Sequence, residues 1–496
     1  MGLFDNIQKK GSKALSSHPV IVRKEAVKVP ITYRAAPSTK VPSAHRDLLA
    51  STIHQASKSK PPAARNKLKR NGSVKRSSSP QQRLQSSSDS EDDAILAASE
   101  SQAKRRKLSN EPEYDPERQI CSEAAFLKDD VADERVHAIV LTSSLQAAKY
   151  GKAFSAAATK TTISLQFPSV SEPEKFDLVH SSQPDEYAPL EEIKECISLM
   201  VDYYLPPDKA RIYRHEDEGI LRRLQRALKK QDADQYGLAI QRWNEDLSAL
   251  RKQGSLRQQM DSWEHIELPL IERILTQTYS RTVSPRAQEL RRYENGTDDV
   301  YGELLPKFVS DILRRDTKIK SNQTFVDLGS GVGNVVLQAA LQIGCESWGC
   351  EKMPNACELA ELQEKEFKAR CRLWGLSHGN IHLEKGDFLA NGSIKTALAK
   401  ADVVLVNNQA FTAGMNEDLT NLFLDLKDGC LIVSLRSFVP SGHKITMRNL
   451  NSPYNQLEVR KKEYFSRCVS WTDVPGSYYI SKKDGSRVKE FMQSKK

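Results

Sequence analysis

From Thr324 to about residue 440 the chain alternates two hydrophobic rhythms. Short apolar runs, TFVDLG, ESWGCE, IHLEKGDF, ADVVLVNN and CLIVSLR, have the length and β-branched content of strands. Between them, apolar residues recur at helical spacing: first VVLQAALQIG, next Leu359, Phe367, Cys371 and Trp374, then Met415, Leu419, Leu422, Phe423 and Leu426. This alternation predicts an open, largely parallel α/β sheet. After Pro440 the rhythm changes, and EYFSRCVSW with SYYISKK predicts an antiparallel pair at the sheet edge.

Upstream, RVHAIVL and TTISLQF read as short strands. Helical periodicity follows. Ile193, Ile197, Val201 and Tyr204 recur until Pro206 and Pro207 end the run, Leu221, Leu224 and Leu228 mark a second helix, and Trp243, Leu247 and Leu250 a third. No internal repeat is present. Residues 1 to about 115 have no such rhythm: a stretch such as SKSKPPAARNKLKRNGSVKRSSSPQQ cannot bury enough apolar area to offset chain entropy, and predicts disorder.

Charge separates the two regions further. The chain is +10 overall, but residues 1–110 carry 22 Lys and Arg against 8 Asp and Glu, leaving the remainder at −4. Basic clusters at Arg65–Arg76 and Lys104–Lys107 fit nuclear import and contact with nucleic-acid phosphates. SDSEDD, Ser88–Asp93, has the form of an acidic kinase site. No apolar run approaches the roughly 18–20 residues of a membrane span, and MGLFDN has Asn6 where a myristoylation start needs Ser or Thr. The 8 cysteines form no CxxC pair, which argues against a zinc ribbon or a disulfide framework. His378 and His382 are separated by Gly379 and followed by a strand, so no metal site is expected.

Val403–Val406 then run into three amides, Asn407, Asn408 and Gln409. Buried amides cost free energy unless hydrogen-bonded, so they call for a partner. The turn FVDLGSGVGN sits at the corresponding end of the first strand. Gly329 permits the tight turn, Gly331 lets a ligand approach the backbone, and Gly333 starts the helix. Alone, such a turn fits a packing bend or a dinucleotide site equally well. Asp327 before the glycines, the GxGxG spacing and the absence of a phosphate-binding Lys favour a cationic ligand. Glu351 ends the second strand, where a carboxylate accepts ribose hydroxyls. Asp387 and Phe388 end the third, offering an acceptor to an adenine amine and a ring to the base. Together they describe a positively charged nucleoside, S-adenosylmethionine.

In such a sheet successive strand ends line one crevice, so Asn407 stands beside the methyl donor and orients an amine. Capping of the next turn is the competing account for Asn408 or Gln409. Methyl transfer from a sulfonium requires alignment and a neutral amine, and an apolar aromatic channel lowers a lysine from its usual value of about 10.4. Trp471, Tyr478 and Tyr479 are candidates for that wall.

VYGE (Val300–Glu303), VDLGSGVGN, the Cys350–Lys352 step, GDF, VNNQAF and the late SW…SYY series resemble, in order and spacing, the disruptor of telomeric silencing family. These are histone H3 lysine methyltransferases lacking a SET domain, and the resemblance covers roughly residues 180–490. LLP after YGE and the basic N-terminal tail resemble the fungal branch. The resemblance implies a seven-stranded Rossmann-like methyltransferase fold. It implies that Tyr301, Gly302, Glu303 and Leu304 close over the methionine part of the cofactor. Phe325, Val326, Asp327, Leu328 and Gly329, with Ser330, Gly331, Val332, Gly333 and Asn334, would hold the rest together with Glu351, Asp387 and Phe388. Asn407 would lie by the target amine, with Trp471 and Tyr478 shaping the lysine channel. Leu304 replaces a Thr of animal members, and Gln409 replaces an aromatic.

The implied organisation is a disordered basic tail over 1–115, a connecting segment over 116–179, a helical subdomain over 180–315 and the S-adenosylmethionine-binding core over 316–496. The implied substrate is a lysine on the globular core of histone H3 in the nucleosome, with nucleosomal DNA bound by the tail and ubiquitin on histone H2B as a further partner. Nuclear location, chromatin regulation, telomeric silencing and a DNA-damage checkpoint role follow from the same resemblance. Two alternatives compete. A base methyltransferase acting on exocyclic amines would place Pro-Pro-aromatic after the Asn, where this chain has Gln-Ala-Phe; an inactive chromatin scaffold would have no need of Asp327, Glu351 and Asn407.

Overall fold

The computed structural model describes residues 115–127, 134–143, 149–154, 162–183, 186–292 and 302–495. The tail expectations for 1–114 and the Tyr301 assignment lie outside the described residues.

The strand-length runs of the second half form β1 (Thr324–Leu328), β2 (Glu346–Glu351), β3 (Ile381–Lys385), β4 (Val403–Val406), β5 (Leu431–Ser434), β6 (Leu457–Tyr464) and β7 (Gly476–Lys483). They make one sheet in the order β6-β7-β5-β4-β1-β2-β3, in which only β7 runs against its neighbours. This is the seven-stranded Rossmann-like arrangement expected from the sequence. The order reverses between β1 and β4, which opens a crevice at the carboxyl ends of the strands. β1 and β4 are buried along their whole length, as continuous apolar runs in a parallel sheet must be.

The longer helices that flank or precede the sheet are, in chain order, α1 (Pro189–Leu199), α2 (Ile220–Lys229), α3 (Ala233–Lys252), α4 (Leu268–Thr282), α5 (Asn334–Gln342), α6 (Pro354–Trp374), α7 (Gly392–Lys400) and α8 (Ala413–Leu422). Their signals are local. α1 starts with Pro189 and two acidic residues and widens into a π-helical turn over Met200–Tyr204 before Pro206. The Asp232 side chain caps α3 by accepting the Gln235 N–H at 2.9 Å, and Gly375, at φ +75°, ends α6. α5 and α6 cover one sheet face together with the helical region, while α7 and α8 cover the other.

The helical region and the sheet share one core, pinned by a buried charge network. Glu174 is fully buried and pairs with Arg370 of α6 and Arg281 of α4, and Arg281 also reaches Glu192 of α1 at 2.7 Å. Glu366 holds the Arg370 Nε at 2.7 Å, and the Gln277 side chain links Glu192 to the Trp374 indole N–H. Burial alone would raise the Glu174 pKa, but Arg370 and Arg281 hold it down at about 2.

Two sequence expectations are corrected. Ala138–Thr142, which takes in the last four residues of RVHAIVL, is a short helix and not a strand. Four apolar residues do not distinguish the two, and here the Ala138 N–H donates to buried Glu174 at 2.8 Å, fixing a helix start. The antiparallel pair at the sheet edge is present, but its edge strand runs over Leu457–Tyr464 and takes in only the first two residues of EYFSRCVSW, while SYYISKK belongs to the second strand from that edge. The Arg and Lys residues of β6 mask it in a hydropathy pattern, although cations are what an edge strand carries. Arg467, at φ +62°, lies beyond the strand's end, where the chain turns back.

Candidate active site

β1 delivers Asp327 to the crevice and then turns through Gly329, Gly331 and Gly333, all left-handed at φ +84°, +55° and +88°. The Gly329 and Ser330 N–H groups donate to the Cys350 carbonyl at 2.9 and 3.0 Å, folding the turn against β2. That approach requires Gly349, where a Cβ would stand 2.7 Å from the Ser330 Oγ. At the end of β2 the Glu351 carboxylate accepts the N–H groups of Gly331 (2.9 Å), Lys352 (2.9 Å) and Met353 (2.8 Å). It is therefore rigidly aimed.

Asp327 is 4% exposed and faces this second carboxylate. Burial, reinforced by the Glu351 charge, pushes its pKa up to about 7. Two carboxylates in one water-poor crevice are a receptor for positive charge. The third strand leads to Asp387, whose Oδ1 accepts the Leu389 N–H at 2.9 Å, and to buried Phe388. Phe411, from the loop after β4, lies 6.4 Å from Phe388 between ring centres, at 28°.

Asn407 follows β4. Its Nδ2 donates to the Gly302 carbonyl at 3.0 Å, and its Oδ1 is buried without a hydrogen-bond partner. An acceptor so placed is suited to an incoming amine. Asn408 is structural: fully buried, it donates to Asn416 (2.8 Å) and the Arg436 carbonyl (3.1 Å) and accepts the Arg436 N–H at 2.8 Å. Gln409 is exposed.

Residues 302–305 roof the crevice. Leu304 bridges Val469, the Leu305 N–H donates to the Cys468 carbonyl at 2.9 Å, and Glu303 and Ser470 exchange two bonds, each of 2.9 Å. The Tyr279 hydroxyl hydrogen-bonds the Glu303 carboxylate from the end of α4. Trp471 lies on Gly302 so closely that a Cβ there would meet its ring at 2.8 Å.

A single open cleft thus gathers Gly302, Glu303, Leu304, Asp327, Gly329, Ser330, Gly331, Asn334, Glu351, Asp387, Phe388 and Asn407 of the sequence-derived set. It does not take in Phe325, Val326, Leu328 or Val332, whose side chains pack in the cores on either side of the sheet. Gly333 caps α5, with Leu383 side-chain atoms 3.3 Å from where its Cβ would be. Tyr478 packs edge-on against Phe308 at 5.0 Å, and its hydroxyl donates to Asp316 at 2.6 Å. Burial and that carboxylate raise its pKa. The lining also includes Lys352, Met353, Leu405, Phe411 and Met415, to which the sequence reading gave no role. Phe411 closes the VNNQAF motif, and Met415 lies in the first turn of α8, whose periodicity signals packing alone.

The sequence profile of "Histone methylation protein DOT1" matches residues 279–483. A protein of Aspergillus fumigatus named "Histone-lysine N-methyltransferase, H3 lysine-79 specific" is 51% identical over 79% of this chain and 78% of its own length. A protein of Gibberella zeae with the same name is 45% identical over 74% of each. An RNA methyltransferase of Salinibacter ruber in complex with S-adenosyl-L-homocysteine aligns over 36% of this chain and 90% of its own, at 18% identity and a TM-score of 0.24. The two relatives each match about three quarters of this chain and of their own length, and agree in name. The chain belongs to the DOT1 family of histone methylation proteins.

Proposed function

We propose that this protein transfers methyl groups from S-adenosylmethionine to a lysine on the globular core of histone H3 within nucleosomes, the position that its relatives' names give as lysine-79. The observation that carries the reading is Asn407: an amide locked by donation to Gly302, with a buried unpartnered oxygen, in the same cleft as the Asp327 and Glu351 carboxylates. When bound, the cofactor supplies a methyl group on a positively charged, already activated sulfur. The residues present fit it. Asp327, half-protonated near neutrality without a cation, would favour the ligand's positive end, Glu351 would accept ribose hydroxyls, Asp387 would accept from the adenine amine, and Phe388 and Phe411 would offer apolar surface to the base.

This chain's own work is then alignment and desolvation. Asn407 Oδ1 accepts a hydrogen from the substrate amine and directs its lone pair toward the cleft. Trp471 and the roof over Gly302 exclude water, and Tyr478, pinned by Asp316, stiffens the wall. In that apolar setting a lysine loses its proton more readily than in water.

The basic tail complements a remainder of net −4 by contacting nucleosomal DNA, and the protein works in the nucleus. By family analogy, ubiquitin on histone H2B is a further contact. Mass spectrometry of reconstituted nucleosomes incubated with the protein and cofactor tests the reading. Methylation of the H3 core lysine is expected, and label entering naked DNA instead would overturn it. Deleting residues 1–115 should weaken nucleosome binding and its salt dependence while leaving cofactor affinity unchanged.

A further inference from the structure

We infer that Gln363 of α6 is a positioning residue for Asn334, fixing its amide so that the cleft presents a hydrogen-bond donor to the carboxylate of the ligand's amino-acid part. The inference rests on the cofactor reading above.

Gln363 is 1% exposed. Its Nε2 donates to the Val332 carbonyl at 2.6 Å and to the Asn334 Oδ1 at 2.9 Å. Its own Oε1 is buried without a partner. An unpaired buried acceptor costs free energy that a Leu or Met of similar volume would avoid, so the amide's presence is tied to what Nε2 does.

Asn334 is the first residue of α5 and lines the cleft. An amide side chain offers one oxygen and one NH₂ group. With the oxygen held by Gln363, the NH₂ is what remains for a ligand. The positive end of the nine-residue helix α5 adds to the same preference. S-adenosylmethionine has one anionic group, its α-carboxylate, and the cleft's two carboxylates, Asp327 and Glu351, offer it no donor. Without Gln363 the Asn334 amide is free to turn over and present its oxygen, which repels that carboxylate.

Isothermal titration of the full-length protein with S-adenosylhomocysteine and with its decarboxylated analogue tests this. Gln363→Met and Asn334→Ala should each weaken S-adenosylhomocysteine by roughly tenfold, the scale of one hydrogen bond to a charged group, and leave the analogue within about twofold. The double variant should be no weaker than either single one, because the two residues act as a unit. Equal weakening of both ligands by Gln363→Met would overturn the inference, since a packing defect does not discriminate between them. Should that variant fail to fold, Asn334→Ala at a half-buried helix start decides: an unchanged ratio between the two ligands overturns it. Failure of the unsubstituted protein to bind S-adenosylhomocysteine is a different result, removing the cofactor reading itself.

Discussion

Asp327→Asn should make the ligand-free protein more stable while disabling it. Asp327 is buried beside Glu351, and its carboxyl holds its proton up to about pH 7 in the folded chain against a reference value of 3.8. Between those values the folded state binds more protons than the unfolded one, so stability falls as pH rises from about 4 to 7. The displacement corresponds to on the order of 4 kcal/mol once the group is fully ionised, at roughly 1.4 kcal/mol per pH unit. Asn has the same shape and never ionises. Urea unfolding of ligand-free protein should therefore give parity between the two chains near pH 4 and a variant more stable by up to about 4 kcal/mol near pH 8. Titration with S-adenosylmethionine should show the converse: binding by the unsubstituted chain weakens about tenfold per pH unit below 7, and the variant binds poorly throughout. A variant whose stability parallels the parent at every pH, or falls below it near pH 8, would refute the account of Asp327 as a destabilised receptor for a cation.

Gly331→Arg should abolish cofactor binding in a titration while the melting temperature moves only a few degrees, because φ is +55° and the added side chain enters the cleft; undiminished binding would refute the site. Asn407→Asp sets a carboxylate oxygen against the Gly302 carbonyl, and should lower kcat on nucleosomes by about a hundredfold while S-adenosylhomocysteine affinity changes by less than about threefold; equal losses in both would assign Asn407 to the roof alone. Glu174→Gln should destabilise the fold by about 3–5 kcal/mol at neutral pH, measured by denaturant unfolding, because it leaves Arg370 and Arg281 buried with less countercharge. Since the Glu174 pKa is held at about 2, below its reference of 4.5, its contribution is complete above about pH 4.5 and lost as pH falls toward 2, so the variant should show a shallower acid transition.

Local signals carried most of the fold. β1 to β5 and the helices α5, α6 and α8 fall where the apolar spacing placed them, because each is a continuous buried run or an amphipathic stripe, whereas α7, a nine-residue helix with few large apolar residues, has no such signal. β6 escaped because its outward residues are charged, and Ala138–Thr142 because a short apolar run takes its conformation from a distant carboxylate. In the cleft, residues at strand ends were legible from strand order alone. What was not legible depends on separation in sequence: the bond from Asn407 to Gly302 spans 105 residues, Tyr478 to Asp316 spans 162, and Arg370 to Glu174 spans 196. No spacing rule reaches across such intervals. Gln363 was hidden for another reason, since a single polar residue in a long helix looks like part of its solvated face.

The stitching of residues 302–305 to Cys468–Ser470 sets a schedule on the ribosome. The floor of the cleft, from β1 to β4, emerges well before its roof can be fastened, because Val469 and Ser470 arrive more than 160 residues after the segment they hold. A nascent chain therefore exposes two carboxylates and an unroofed Asn407 until the last two strands dock. Retention of the nucleoside becomes a signature of completed synthesis, and a chain stopped before residue 468 should be blind to its cofactor even with every glycine of the turn in place.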